Sequence, residues 1–318
     1  MKNKYFILQL VLLVFLLHLS IFAQTQADID KAQNLVSEGL TAYNEGNFQT
    51  SIDYLTKAIE IYPNAPQIYY NRGNSYRYVK EYELAIKDFN KALELSANLP
   101  ETFLAMIYTS RGDTFHEKTE YDKAIKDFNK AVSLNSKDAN TYISRGLTYT
   151  SLEKYDLAIS DFDKSIELMP DVTNFHNRAK VYYLKLDFDT AIKDYTKAIE
   201  LSPKLASPYN GRGLCYKYKN NLDAALLDFT KAISLSEKEG DYYFNRADIY
   251  FKKGDFDLAV KDYTKAIEIY PVWAEAYRGR ADAYKKLGQD NLANADLQKA
   301  SQLDKNFDPN NRIKTIIP

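Results

Sequence analysis

A block of 34 residues recurs along this chain, and that period limits the fold more than any other feature. The segment EYELAIKDFNKALEL from Glu81 returns as EYDKAIKDFNKAVSL from Glu120 and KYDLAISDFDKSIEL from Lys154. It returns again as DFDTAIKDYTKAIEL from Asp187 and DFDLAVKDYTKAIEI from Asp255, with weaker copies at 47–61, 221–235 and 289–303. One small residue marks each unit: Gly39, Gly73, Gly112, Gly146, Ala179, Gly213, Ala247 and Ala281. The steps between them are 34, 39, 34, 33, 34, 34 and 34. In the second unit Tyr69, Gly73 and Tyr76 are spaced as one stripe of a helix, and Ala85, Phe89 and Ala92 as a stripe of a second. Gly46, Gly254, Gly288 or a polar residue such as Lys80 sits at the joint, as expected of a helix C-terminus. Pro63, Pro170, Pro203 and Pro271 close the second helix. One such hairpin cannot bury its own apolar face, so the units must stack.

These letters closely resemble the tetratricopeptide repeat, whose pattern sets aromatic, small and Ala positions on two helices. The match runs through Tyr69, Gly73, Tyr76, Ala85, Phe89 and Ala92 in the second unit. In the seventh it runs through Tyr243, Ala247, Tyr250, Ala259, Tyr263, Ala266 and Pro271. The resemblance implies an all-α fold, a right-handed superhelical solenoid of eight helix-turn-helix (TPR) repeats over residues 32–306. Units then start near 32, 66, 105, 139, 172, 206, 240 and 274. Residues 24–31 are expected to be a linker and 307–318 a C-terminal tail. The tail does not read as a capping helix, and its Ile313, Ile316 and Ile317 are placed to cover the last unit or to meet a neighbour.

Lys2 and Lys4 precede an apolar run from Tyr5 to Leu19 that ends in Ser20-Ile21-Phe22-Ala23-Gln24. A basic head, an apolar stretch and a small residue before a polar shift form a secretory signal peptide over 1–23, cleaved after Ala23. The expected location is therefore periplasmic or secreted; an uncleaved N-terminal membrane anchor is the alternative.

Two features depart from the family pattern. The Leu that normally precedes the small residue is Arg in seven units: Arg72, Arg111, Arg145, Arg178, Arg212, Arg246 and Arg280. The same units carry Asp88, Asp127, Asp161, Asp194, Asp228, Asp262 and Asp296 on the second helix, and the first unit lacks both partners. Joint presence and absence predict a ladder of Arg–Asp bridges inside each hairpin. The competing reading pairs each Asp with the Lys three residues on, such as Asp88 with Lys91, and leaves Arg as an apolar stem. The second departure is a five-residue excess within 96–105. It reads either as a longer first helix starting at Pro100 or as Phe103, Leu104 and Met106 protruding into the groove.

Composition removes most chemistry. One Cys and three His leave no material for a disulfide framework or a multi-histidine metal site, and no cofactor is implied. Lys and Arg number 42 against 43 Asp and Glu, which argues against nucleic acid as a partner. No nucleophile–base arrangement or phosphate loop stands out, so the chain reads as a non-enzymatic scaffold. His116 and His176 are expected to be exposed on their helices, and Cys215 to be a small packing residue.

In the resembled family the first helices line the concave face, where protein or peptide partners lie. Matching those positions gives Tyr70, Asn74, Arg77 and Tyr78 in the second unit and Asp113 and His116 in the third. It gives Lys180 and Tyr183 in the fifth, Lys217 and Tyr218 in the sixth, and Phe244, Asp248 and Phe251 in the seventh. These positions change between units whose packing positions barely vary. The family's clamp for acidic C-termini is incomplete here: Asn71 and Asn74 are present, but Tyr70 stands where its Lys belongs. The alternative to a groove-bound protein or peptide is self-association, as an assembly subunit of an envelope complex.

Overall fold

A computed structural model describes residues 26–96 and 99–305. The signal segment 1–23, and the tail 307–318 with its three isoleucines, lie outside the described residues. Among the described residues every element is helical. The first helices are Gln26–Asn44, Pro66–Tyr78, Glu101–Glu117, Ala139–Ser151, Val172–Leu184, Ala206–Tyr218, Gly240–Lys253 and Ala274–Lys286. The second helices are Phe48–Ile61, Tyr82–Glu94, Tyr121–Leu134, Tyr155–Leu168, Phe188–Leu201, Leu222–Leu235, Phe256–Ile269 and Asp290–Lys305. The opening helix begins at Gln26, so most of the segment expected as a linker is helical instead. The chain forms two compact units, Met1–Ser144 and Arg145–Pro318.

Each hairpin turns through one residue with left-handed backbone. Gly46, Gly254 and Gly288 have φ of 80°, 87° and 71°, while Lys80, Thr119, Glu153, Leu186 and Asn220 hold φ between 58° and 63°. Second helices end at Ile61, Leu168, Leu201 and Ile269, each two residues before its proline. The helices of a hairpin approach closely because the small residue faces an aromatic ring. A Cβ on Gly73 would lie 2.9 Å from Phe89, a ring that is fully buried. The first helices of the first three repeats touch in succession, as do those of the fifth to eighth, whereas successive second helices do not approach each other among the described residues. Each stack therefore curves towards its first helices.

The Arg–Asp ladder is present in all seven hairpins. Each guanidinium grips its Asp through Nε and Nη2 at 2.6–2.9 Å. Lys91 pairs with Glu94 at 2.9 Å and not with Asp88. The bridge also reaches further than expected. The free Nη1 of Arg72 donates to Thr56 of the preceding repeat, at 3.0 Å. Arg212, Arg246 and Arg280 do the same to Thr196, Thr230 and Thr264, and Arg178 pairs with Asp163 at 2.6 Å. In these repeats the guanidinium thus ties two helices of one repeat to the repeat before it. Tyrosines wall it in: Tyr69 and Tyr76 lie 5.8 and 5.6 Å from Arg72, and Tyr243 and Tyr250 lie 5.9 and 5.8 Å from Arg246. This accounts for much of the chain's 27 Tyr. A desolvated, hydrogen-bonded charge pair of this kind gains little net energy, but leaving one member unpaired is costly.

The five-residue excess lengthens a first helix. Glu101–Glu117 has 17 residues, against 13 in the repeats on either side, and Pro100 sits at its N-cap, one place before the first turn. Phe103 does not protrude: it packs edge-on against Tyr70 at 5.6 Å, and only Met106 of the three is well exposed.

Candidate functional site

The candidate residues sit on the first-helix face of the two units. In Met1–Ser144, Arg77 donates to Glu117 at 2.9 Å and lies 3.8 Å from Asp113. Asp113 is further bound to Ser144, and burial pushes its carboxyl up to about 6 against the pull of Arg77. Tyr78 is half exposed and stacks flat on Phe48 at 4.6 Å, with Tyr43 edge-on to both rings. Burial and the Tyr78 hydroxyl hold the Tyr43 phenol well above its ordinary range. Tyr70 is taken up by packing on Phe89 and Phe103, and Asn74 donates to the Tyr70 carbonyl. His116 leans on the Tyr121 ring and is half-buried rather than exposed.

In Arg145–Pro318 the same arrangement appears. Tyr218 stacks flat on Phe188 at 5.2 Å, with Tyr183 edge-on to both. Burial and the Tyr218 hydroxyl raise the Tyr183 phenol as in the first unit. Lys217 stands where Arg77 stands and pairs with Asp248, which also accepts the Tyr263 hydroxyl at 2.6 Å. Tyr43, Phe48, Arg77 and Tyr78 correspond to Tyr183, Phe188, Lys217 and Tyr218 at a constant offset of 140 residues. One constellation is therefore built twice, once per unit: two tyrosines, a phenylalanine and a cation–carboxylate pair. Phe251 packs on Phe256 at 5.3 Å and faces the core of its hairpin.

His176 is also half-buried, not exposed. Its ring lies edge-on to Tyr195 and its Nδ1 is enclosed without a partner. Burial first, and then the Lys180 charge, lower its pKa to about 4. Lys180 is itself half-buried, and burial lowers its pKa. Cys215 is buried, and burial pushes its thiol up to about 12, as suits a packing residue.

A cleft of about 330 Å³ opens on the first-helix face of the sixth to eighth repeats. Tyr183, Leu214, Tyr218, Phe244 and Trp273 supply apolar wall. Asn210, Lys217, Asp241, Asn245 and Glu275 supply its polar groups. Phe244 packs on Trp273 with centroids 4.4 Å apart. Sequence reasoning missed Phe48, Phe188, Asn245, Trp273 and Glu275 as candidates. The 140-residue offset was the available signal for the first two; Trp273 sits in the turn before a first helix, outside the family's inward positions. A hollow of about 500 Å³ on another surface lies over the Arg246–Asp262 bridge and belongs to the ladder. Among the described residues no group of three or more His, Cys, Asp or Glu is placed to hold a metal, and no helix is long and apolar enough to cross a membrane.

Family models described as tetratricopeptide repeat match residues 32–65, 64–137, 139–172, 206–239, 240–271 and 274–307, and a TPR repeat model matches 179–219. A TPR repeat-containing thioredoxin of Arabidopsis thaliana is 32% identical over 74 residues, 23% of this chain and 20% of its own length. Hsc70-interacting protein 1 of Drosophila melanogaster is 31% identical over 75 residues, 24% of this chain and 20% of its own. The chain thus spans about a fifth of the length of these relatives. Among solved structures, a tetratricopeptide repeat protein from Parabacteroides merdae superposes with a TM-score of 0.60 at 20% identity. That match covers 86% of this chain and 99% of the other, and it speaks for the fold alone.

Proposed function

Since this chain belongs to the tetratricopeptide repeat family, we propose that it is an exported, non-enzymatic scaffold that holds a protein or peptide segment on its first-helix face. The observation that carries this reading is the half-exposed Tyr78, clamped on Phe48, and its counterpart Tyr218 on Phe188. Each ring is already immobilised, so a partner segment that covers it loses little side-chain freedom of the host. Tyrosine supplies a large apolar face and a polar tip, a combination suited to polypeptide contact. Around Tyr78 the neighbouring charge is already paired, Arg77 with Glu117, so the surface there recognises shape and apolar area rather than a bulk charge.

The test is affinity capture from envelope extract with the chain immobilised, followed by identification of bound proteins. Capture by the native chain and loss by the Tyr78→Ala/Tyr218→Ala variant, with helicity unchanged, supports the face. Equal capture by both places binding elsewhere. Export rests on residues 1–23: expression of the full chain in a secreting host should yield a product that starts at Gln24. A product that retains Met1 and sediments with membranes would instead support anchoring.

A further inference from the structure

We propose that the cleft of the sixth to eighth repeats is a pocket for a basic side chain, arginine above all, presented by an extended segment of the polypeptide partner. The inference rests on the scaffold reading above and adds the chemistry of what one part of the face accepts.

The argument starts from the charges. Lys217 is the only cation that lines the cleft, and Asp248 engages it from one side while Tyr263 fixes Asp248 from the other. Two acids remain, Asp241 and Glu275. Asp241 is half-buried, and its Oδ1 is enclosed with no hydrogen-bond donor. Burial, together with the neighbouring Glu239, raises its pKa, which records the cost of keeping a carboxylate there without a counter-charge. Glu275 has only a loose 4.0 Å contact with Arg278, whose guanidinium is engaged by Asp304. The cleft therefore presents two carboxylates without a close side-chain cation, each offset only by the first turn of its own helix.

The walls fit the same ligand. Phe244 lies over the buried Trp273, and with the exposed Tyr218 it gives the cleft an aromatic wall, whose faces attract a cation. A guanidinium is planar, lies flat on such a face and forks onto a carboxylate, which an ammonium cannot do. Beside them Asn245 donates to Asn210 at 3.0 Å, leaving an amide carbonyl on one residue and an amide N–H on the other. Those groups match the donor and acceptor of one extended peptide unit. An acidic segment would bring like charge to Asp241 and Glu275, and a purely apolar one would bury both acids with no partner.

Trp273 is the chain's single tryptophan, so its emission reports on this cleft alone. The experiment titrates the purified full chain with blocked pentapeptides of alanine carrying a central arginine, citrulline or glutamate. Arginine and citrulline have nearly the same shape and differ in charge. The arginine peptide should change Trp273 emission saturably. Citrulline and glutamate should bind at least tenfold more weakly, and Asp241→Asn with Glu275→Gln should lower arginine affinity at least tenfold with the circular dichroism unchanged. Equal response to citrulline, or no response to the arginine peptide up to about 10 mM, overturns the proposal. Partner capture through Tyr78 and Tyr218 is read separately. If capture persists while the peptides fail, the pocket is wrong and the scaffold stands; if both fail, the scaffold reading falls too.

Discussion

The two units carry the same lower constellation but differ in the residues above it. Where Arg145–Pro318 has Asp241, Phe244, Trp273 and Glu275 around its cleft, the matching positions of Met1–Ser144 hold Met106, Thr109, Asp138 and Asn140. There neighbouring side chains are tied to one another by hydrogen bonds. Thr109 meets Thr141 at 2.7 Å, and Thr141 donates to Asp138 at 2.5 Å. Small hydroxyls have replaced large rings, and the lone acid has a donor. The backbone is alike in both places, since the Arg–Asp ladder and the small-residue packing recur in each. The difference teaches that the repeat fixes a platform, and that a few positions at the start of the first helices decide whether it presents large rings and unpaired acids or small, hydrogen-bonded side chains.

The ladder is the shared part, so breaking it should hurt both units alike, and this is the largest effect expected. Asp127→Ala strands Arg111 in one unit, and Asp262→Ala strands Arg246 in the other. Each should lose about 3–5 kcal/mol in urea unfolding, because a poorly solvated guanidinium is left without its carboxylate. A loss in one unit but not the other would show that the two stacks are held differently.

Acid should separate the units. His176 has a folded pKa of about 4, below its unfolded value near 6.5. As pH falls, the unfolded chain takes up the proton first. The stability that neutral His176 contributes is complete above about pH 6.5 and is lost as pH falls towards 4, up to about 3 kcal/mol. Asp113 runs the other way. Its folded pKa of about 6 lies above the unfolded value near 4, so its contribution is present below about pH 4 and lost as pH rises through 6. Melting curves from pH 4 to 7 should therefore lose their acid-side slope in His176→Gln and gain a steeper one in Asp113→Asn. Identical slopes in all three proteins would remove both assignments.

A finer comparison lies at the joints between repeats. Where the second helix carries Phe89 or Phe229, the facing first-helix position of the next repeat is Ser110 or Asn245. Where it carries Tyr195 or Tyr263, that position is Gly211 or Gly279. A Cβ on Gly211 would lie 2.4 Å from the Tyr195 ring and 2.8 Å from its hydroxyl. The larger ring needs the smaller neighbour. Gly211→Ser should cost about 1–3 kcal/mol by overpacking, and adding Tyr195→Phe should recover most of it by recreating a Phe–Ser joint. Strictly additive effects would mean that the pairing is coincidental.

What was legible in the sequence is what recurs. Hairpins, turns and the ladder could be read because Arg72 and Asp88 come back together seven times at one spacing. The third contact of guanidiniums such as those of Arg72, Arg111 and Arg178 could not, since Thr56, Asn90 and Asp163 differ in chemistry and only the stack brings them near. The inward positions were identified by register, yet register does not say which of them the fold uses up. Asp248 is held by Lys217 and Tyr263, Phe251 packs on Phe256, and Tyr70 fills the space beside the longer helix. The cleft depends on Trp273, which precedes its helix and escapes any pattern written for helical positions.

The smallest test concerns the turns, where the 140-residue offset pairs Gly46 with Leu186. Both have left-handed backbone, φ 80° and 63°. Glycine adopts it freely, whereas an L side chain there costs about 1–2 kcal/mol from its own Cβ. Leu186 is 70% exposed, so its side chain gains little from packing to offset that strain. Nothing lies within 4 Å of a Cβ built on Gly46, so a side chain there would meet no steric obstacle other than the backbone itself. Leu186→Gly should therefore stabilise its unit by about 1 kcal/mol, less the extra freedom glycine gives the unfolded chain, and Gly46→Leu should destabilise the other by a similar amount. Opposite shifts of similar size in thermal melts would show that the turns are equivalent in energy as well as geometry. A Leu186→Gly variant that melts lower would mean that the leucine is held by a contact that glycine cannot make.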